Sequence, residues 1–362
     1  MKKVLFIDRD GTIISEPLNE QVDSFEEMRF LPMVITSLSR IVTETDYELV
    51  MVTNQDGLGS GEFPEETFWP SHNKMLQILE GEGIRFADVF IDRTYAHENA
   101  PTRKPGTAML ARYLAQGVDL SSSFVIGDRE TDLQLARNLG CRAIYVSTQS
   151  HPDAFFNTAD WRDISNFLIS MPRRSAINRI TRETSVFVDL NIDGSGKSDI
   201  STGIGFLDHM LEQLARHSGM DLTIKAKGDL EVDRHHTIED VAIALGEAIS
   251  GALGSKKGIE RYGFLLPMDD SLAQVAIDFS GRPWLTWTVC FSASSVGDIP
   301  AEMFRHFFKS LSDSTKCNIN ITAEGDDDHH KIEAIFKAFA RAMKAAVTKT
   351  GSFGLPSTKG IL

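Results

Sequence analysis

Cysteine is nearly absent. Cys141, Cys290 and Cys317 are the only three in 362 residues, and no two stand in a CxxC spacing. That scarcity excludes a disulfide framework and a thiolate zinc site, and it points to a reducing, cytoplasmic setting. Long apolar runs are missing too. No segment reaches the roughly 18 apolar residues of a membrane span, and the run after the basic Met1-Lys2-Lys3 stops at Asp8, too soon for a signal peptide. Positive charge is in deficit. With 37 Lys and Arg against 51 Asp and Glu, the formal charge of −14 lacks the basic footprint of a nucleic-acid binder, while small anions held by local arginines stay open. What is present, 42% hydrophobic and 24% charged residues, is ordinary globular composition over a length that predicts two domains.

The most informative stretch is Asp233-Arg234-His235-His236-Thr237-Ile238-Glu239, nearly repeated at Asp328-His329-His330-Lys331-Ile332-Glu333, 94 residues on. Paired imidazoles followed by a carboxylate suit a divalent transition ion. If each copy opens a helix, its first histidine and its glutamate share one face. The second histidine turns about 100° away, so two metal ions are the natural count.

The N-terminal half carries different chemistry. Val4-Leu5-Phe6-Ile7 reads as a buried parallel strand ending at Asp8-Arg9-Asp10-Gly11-Thr12, with further strands over 48–53 and 123–128 and helical patterns over 73–79 and 131–138. Open α/β sheets bind ligands at such strand ends. The residue types there suit phosphoryl transfer through an aspartyl phosphate. Asp8 attacks phosphorus, Asp10 protonates the leaving alcohol, Thr53 bonds a phosphoryl oxygen, Lys104 neutralises charge, and Asp128 shares magnesium with Asp8 and the Asp10 carbonyl.

Asp8–Thr12, Thr53-Asn54-Gln55, Arg103-Lys104-Pro105 and Gly127–Asp132 together resemble the four motifs of haloacid-dehalogenase-type phosphatases over most of residues 1–150. The resemblance implies a Rossmann-like fold, and the short spacings between motifs leave no room for a large cap. Within that superfamily the chain is most similar to histidinol-phosphate phosphatases, particularly those fused to a second histidine-biosynthetic enzyme, with Arg103 at a substrate-contacting position. Their usual zinc loop has three cysteines and a histidine. Here 92–102 offers only His97, so no zinc is expected in this domain.

Ser147–Asp163, rich in small polar residues and proline, reads as a linker, and the composition shift at Met171-Pro172 puts the domains at 1–172 and 173–362. Beyond it, alternating strands over 185–191 and 222–227, a helix with His209 and the first paired histidines form a unit. Strands over 273–279, 285–291 and 318–323, a helix with His306 and the second pair repeat it.

Residues 175–362 resemble imidazoleglycerol-phosphate dehydratases through Thr181–Thr184, Thr202–Leu211, His235–Asp240, Gly281-Arg282-Pro283, His306-Phe307-Phe308 and Pro356–Gly360. The resemblance implies a duplicated βαβ-type α+β domain, like the second domain of ribosomal protein S5. It also implies a large homo-oligomer, of twenty-four subunits in that family, and a two-manganese site shared across subunits. The implied manganese ligands are His209, His235, His236, Glu239, His306, His329, His330 and Glu333. Glu183, Arg261, Arg282, Ser357, Thr358 and Lys359 match substrate-contacting positions, and Glu183 is a candidate proton acceptor. Arg234 stands where the family usually has a second aspartate. Because no carbonyl acidifies the substrate's C–H bond, the imidazole ring must store electrons while the hydroxyl leaves, which metal coordination of its nitrogens favours. The expectation is a bifunctional histidine-biosynthesis enzyme acting on small phosphates. The rivals replace histidinol phosphate by another small monoester, or make the first domain an inactive assembly module.

Overall fold

A computed structural model describes residues 2–115, 117–263, 266–350 and 354–357. The chain forms two compact units, Met1–Met171 and Pro172–Leu362, each with its own buried core.

In the first unit, β1 (Lys3–Ile7) is buried on both sides. Val4 and Phe6 enter one apolar layer, Leu5 and Ile7 the other, so the strand is continuously apolar instead of alternating. β2 (Tyr47–Asn54) and β4 (Phe124–Gly127) flank it. With β3 (Phe86–Asp92), β5 (Arg142–Tyr145) and β6 (Phe156–Asn157) they make a parallel sheet of order β3-β2-β1-β4-β5-β6. Helices α1 (Val34–Glu44), α2 (Glu65–Gly81) and α5 (Trp161–Ile169) cover one face. The single turn α3 (Ala111–Leu114) and α4 (Glu130–Leu139) cover the other. Because all strands run the same way, Asp8, Thr53 and Asp128 reach one sheet edge.

One expectation is corrected here. The stretch read as a linker, Ser147–Asp163, is integral to this unit: it contains β6 and the start of α5, and Trp161 is wholly buried with its indole N–H donating to the Thr12 carbonyl at 2.8 Å. Its small polar residues are the turns between short elements, where side chains satisfy local backbone groups.

The second unit is two copies of one topology. The first sheet has β7 (Arg174–Ile180), β8 (Thr184–Asn191), β9 (Ser198–Ser201) and β10 (Asp221–Gly228) in order β7-β8-β10-β9. The second has β11 (Tyr262–Gly263) and β12 (Leu266–Met268) on β13 (Ser271–Asp278), then β17 (Asn318–Glu324) and β14 (Trp284–Val289). In both, a hairpin strand is antiparallel to the central strand and the crossover strand is parallel to it. Helices α6 (Gly205–Ser218) and α7 (His235–Leu253) serve the first copy; α8 (Glu302–Thr315) and α9 (Asp328–Val347) serve the second, after a small ribbon of β15 (Ser295–Val296) and β16 (Ile299–Pro300). Strands β7 and β9 were not anticipated from sequence. Both are edge strands, and β9, with its polar, largely exposed Ser-Asp-Ile-Ser, shows no apolar alternation. Among the described residues no helix is long and apolar enough to cross a membrane.

Candidate active sites

The first site lies at the carboxyl edge of the parallel sheet. Gly11 takes φ +70°, and a Cβ there would fall 2.0 Å from an Asp128 carboxylate oxygen, so the turn after β1 closes only with glycine. Lys104, 3% exposed, places Nζ 2.7 Å from Asp8 Oδ1 and 2.7 Å from Asp132 Oδ1. Asn54 fixes that lysine's backbone from both sides, accepting from its N–H at 3.0 Å and donating to its carbonyl at 3.3 Å. Gln55 Nε2 donates to Asp10 Oδ2 at 2.5 Å and to Thr53 Oγ1 at 2.8 Å, which frees the Thr53 hydroxyl proton for another acceptor. Asp8, Asp10, Thr53 and Lys104 line one cavity of about 300 Å³, with Glu16, Glu20, Arg103 and Arg129 at its rim.

The electrostatics are those of crowded carboxylates. Burial pushes Asp128 up to about 7, helped by Asp8 and Asp132. Asp132 is likewise pushed up by burial, to about 6, against the pull of Lys104. Burial would lower Lys104, but Asp132 and Asp8 outweigh it and hold the ammonium above its usual value. Asp10 is raised by burial despite Arg9. Ligand oxygens of Asp8, Asp128 and Asp132 lie within 4.8 Å of one another, an all-oxygen set that fits a hard divalent cation.

Two residues of these motifs carry roles that the sequence reading did not assign. Asp132, four residues after Asp128 on α4, both anchors Lys104 and caps its helix by accepting from Arg129 N at 3.1 Å. The i+4 spacing was its signal. Arg9 is fully buried between the two motif aspartates, its guanidinium 4.7 Å over the Phe68 ring and 3.5 Å from Asp10 Oδ1, with none of its three nitrogens hydrogen-bonded. Arg103, expected at the substrate, is engaged internally: it holds both Asp56 oxygens and the Thr94 carbonyl, pinning the 92–104 loop.

The second site gathers at the helix starts of the duplicated unit. His235 and Glu239 face each other across one turn of α7 at 3.6 Å, and the His306 ring stands 5.1 Å from that of His235. The counterpart set has His329 and Glu333 at 3.7 Å, with His209 acting electrostatically on Glu333. The pairing is therefore crossed. Helix α8 of the second copy serves the first copy's motif, and α6 of the first serves the second's. His236 and His330 turn away from these sets: His236 Nδ1 lies 3.2 Å from both Asp229 oxygens and 3.8 Å from Glu183, and His330 Nδ1 lies 2.6 Å from Asp270. Among the described residues, no three of the eight side chains bring ligand atoms within 4.8 Å of one another in one chain.

Arg261 holds both oxygens of Asp278 and donates to the Pro356 carbonyl at 2.9 Å. The Arg282 backbone is held by Asn318, which donates to its carbonyl at 2.7 Å and to Ser280 Oγ at 2.9 Å. Arg261 N donates to Ala346 O at the end of α9, whereas His329, His330 and Glu333 stand at its beginning, roughly 20 to 25 Å away along the helix at 1.5 Å per residue. Within one chain Arg261 therefore stands at the opposite end of α9 from His329 and His330. Thr358 and Lys359 lie outside the described residues. Arg234 stands 3.6 Å from Asp298.

A Rossmann-like unit with a carboxylate-lysine site, followed by a duplicated unit rich in histidine and glutamate, defines a fusion of a phosphatase-type hydrolase with a metal-binding enzyme of a second kind. The family model for imidazoleglycerol-phosphate dehydratase matches residues 202–343, and one for haloacid-dehalogenase-like hydrolases matches 101–162. Over its full length the chain is 57% identical to the histidine biosynthesis bifunctional protein HisB of Bacteroides fragilis (374 aligned residues, 100% of each chain) and 54% identical to that of Spirosoma linguale (382 residues, 100% of each). Similarity to the crystal structure of imidazoleglycerol-phosphate dehydratase from Staphylococcus aureus is 37% in identity, covering 49% of this chain and 99% of that one, with a TM-score of 0.45. The chain belongs to the family of bifunctional histidine-biosynthesis proteins.

Proposed function

We propose that the first unit, Met1–Met171, hydrolyses L-histidinol phosphate and that the second, Pro172–Leu362, dehydrates imidazole glycerol phosphate. The observation that carries the phosphatase assignment is the Asp8–Lys104–Asp132 bridge beside the Asp10–Gln55–Thr53 chain. Lys104 orients the Asp8 carboxylate and offsets the charge that gathers as its oxygen bonds phosphorus. Asp10, raised by burial, gives its proton to the departing alcohol oxygen and later takes one from the water that splits the aspartyl phosphate. Thr53 donates its hydroxyl proton to a phosphoryl oxygen. Asp8, Asp128 and the Asp10 carbonyl would hold magnesium, with Asp132 close by, and the ion would supply charge neutralisation of the phosphoryl oxygens.

In the second unit the eight histidines and glutamates would hold two manganese ions, whose chemistry is to stabilise negative charge on the substrate's imidazole. Glu183, half-exposed and 3.8 Å from His236, takes the proton lost from carbon. Arg261, Arg282 and Ser357, with Thr358 and Lys359, hold the phosphate. The crossed half-sites, and the distance from Arg261 to the same chain's His329 and His330, support a site completed by other copies in a large homo-oligomer. The three free cysteines and the absence of a membrane-crossing helix among the described residues agree with a cytoplasmic enzyme.

The test is phosphate release from histidinol phosphate against a panel of sugar and amino-alcohol phosphates, with dehydration of imidazole glycerol phosphate assayed on the same preparation. Preference for histidinol phosphate, abolished in Asp8→Asn, is expected. Stronger turnover of a sugar phosphate would overturn the substrate assignment, and no turnover in the parent would leave the first unit an assembly module.

A further inference from the structure

The two copies of the dehydratase unit treat their second histidine alike, by different means. The 94-residue repeat carries His236 onto His330, but strand register, with Asp221 paired to Asn191 and Asn318 to Asp278, sets Asp229 against Asp326 and Asp270 against Glu183, so the carboxylates bonded to these rings are not repeat equivalents. Asp229 follows β10 and leads into α7. Asp270 sits in the hairpin turn between β12 and β13, where Met268 pairs with Ser271. The matching turn of the first copy, between β7 and β8, holds Glu183, because Ile180 pairs with Ser185 there. Each hairpin turn thus aims a carboxylate at its copy's second histidine. Only the Asp270 contact is a hydrogen bond, at 2.6 Å; Glu183 stops at 3.8 Å, and Asp229 binds the ring instead, at 3.2 Å to each oxygen.

We infer that Asp229 and Asp270 are positioning residues that hold His236 and His330 in the Nδ1–H tautomer, presenting Nε2 to the metal, and that Asp229 thereby leaves Glu183 unbound to the ring. A carboxylate accepting from Nδ1–H fixes ring orientation and makes the other nitrogen a stronger donor to a cation. Asp270 also accepts from the backbone N–H groups of Asp326 and Asp327, at 2.8 and 3.0 Å, so the same carboxylate sets the loop from which α9 starts. In the first copy His235 N is held by Asp233 at 3.0 Å, while the Asp229 carboxylate bonds the His236 ring. This inference rests on the reading of His236 and His330 as metal ligands.

The experiment uses the full-length protein stripped of metal and titrated with Mn(II) against a competing chelator, together with nitrogen-15 histidine spectra of the stripped protein. Asp229→Ala and Asp270→Ala are expected to weaken Mn(II) binding by about 10- to 100-fold and to shift His236 or His330 toward a mixture of tautomers. Asp229→Asn and Asp270→Asn, which keep an acceptor oxygen, should recover part of the affinity. If His236→Ala and His330→Ala weaken Mn(II) binding while the four aspartate variants bind like the parent, the positioning role is overturned and the ligand assignment stands. If the histidine variants also bind like the parent, the ligand assignment beneath it falls. Parent spectra showing Nε2–H on both rings would overturn the inference whatever the affinities.

Discussion

Lys104 is a buried cation with two carboxylates at equal distance, and that symmetry decides what its loss does. Replacing it with methionine leaves Asp8, Asp128 and Asp132 facing one another without a counter-charge, and breaking a buried pair by removing one partner costs on the order of 3–5 kcal/mol. Lys104→Met is therefore expected to abolish phosphatase turnover and lower the first unit's thermal midpoint, while excess magnesium restores part of the midpoint but not the turnover. Calorimetry with and without magnesium checks this. Asp132→Asn tests the residue that sequence reading passed over: it keeps the volume, weakens the hold on Lys104, and should lower kcat by roughly 10-fold or more, about 1.4 kcal/mol of transition-state stabilisation. Asp132 was hidden because a helix-capping carboxylate and a site carboxylate look the same in sequence. Asp8, Asp10 and Lys104 were legible because strand-end acids and a lysine before proline recur at characteristic offsets.

His72 gives the first unit a pH dependence of its own. It is 1% exposed, stacked 5.0 Å from Phe68, and its Nδ1 has no partner, so burial and then Arg9 push it down to about 4. The unfolded histidine titrates near 6.5. Above that pH both states are neutral and the group adds no pH dependence. As pH falls from 6.5 to 4 the unfolded chain takes a proton that the folded one refuses, so stability is lost across that window, by about 3 kcal/mol in total. Asp128 works in the opposite sense, since its raised value favours proton uptake in the folded state. Comparison with His72→Phe isolates the histidine: the parent's thermal midpoint should drop further between pH 7 and pH 5 than the variant's. Equal drops would show that His72 titrates normally.

At the scale of elements, helix starts do much of the positioning. Asp327 caps α9 by accepting from His329 N at 2.7 Å and His330 N at 3.2 Å, so one carboxylate sets the first turn that carries two expected ligands. Its neighbour Asp328 is turned inward, where it accepts from the backbone of Ser292 and Ala293 at 2.8 Å and pairs with Lys331 at 2.6 Å. Packing, not residue type, decides which of the two neighbouring acids caps the helix. Asp327→Ala should cost about 1 kcal/mol and raise hydrogen exchange at the first turn of α9 while leaving α7 unchanged; uniform exchange across both helices would contradict it. The strand pattern was legible where burial imposes a pattern, as in the double-sided β1 or the alternating β8 and β13. It failed for β9, a short polar edge strand, and for α5, whose Trp161 is masked by neighbouring turn residues.

At the scale of the whole molecule, the duplicated unit poses a problem that a single chain does not solve. Its expected ligands fall into crossed sets, among the described residues no three of them within 4.8 Å, and Arg261 sits at the far end of α9 from His329 and His330. Large apolar side chains stand in the open on the same unit, Ile180 at 69% and Trp284 at 67%. If ions draw ligands from more than one copy, the metal's binding energy is also assembly energy, and the oligomer must respond to metal by mass action. Chelation is then expected to shift light scattering toward smaller species and abolish dehydration together. Mn(II) should restore both, whereas Mg(II) added to the chelated protein should restore phosphate release alone, because the Asp8–Asp128–Asp132 set lies within one chain. A chelated, fully dissociated chain that still retained stoichiometric manganese would place a complete metal site in one copy and overturn the shared arrangement.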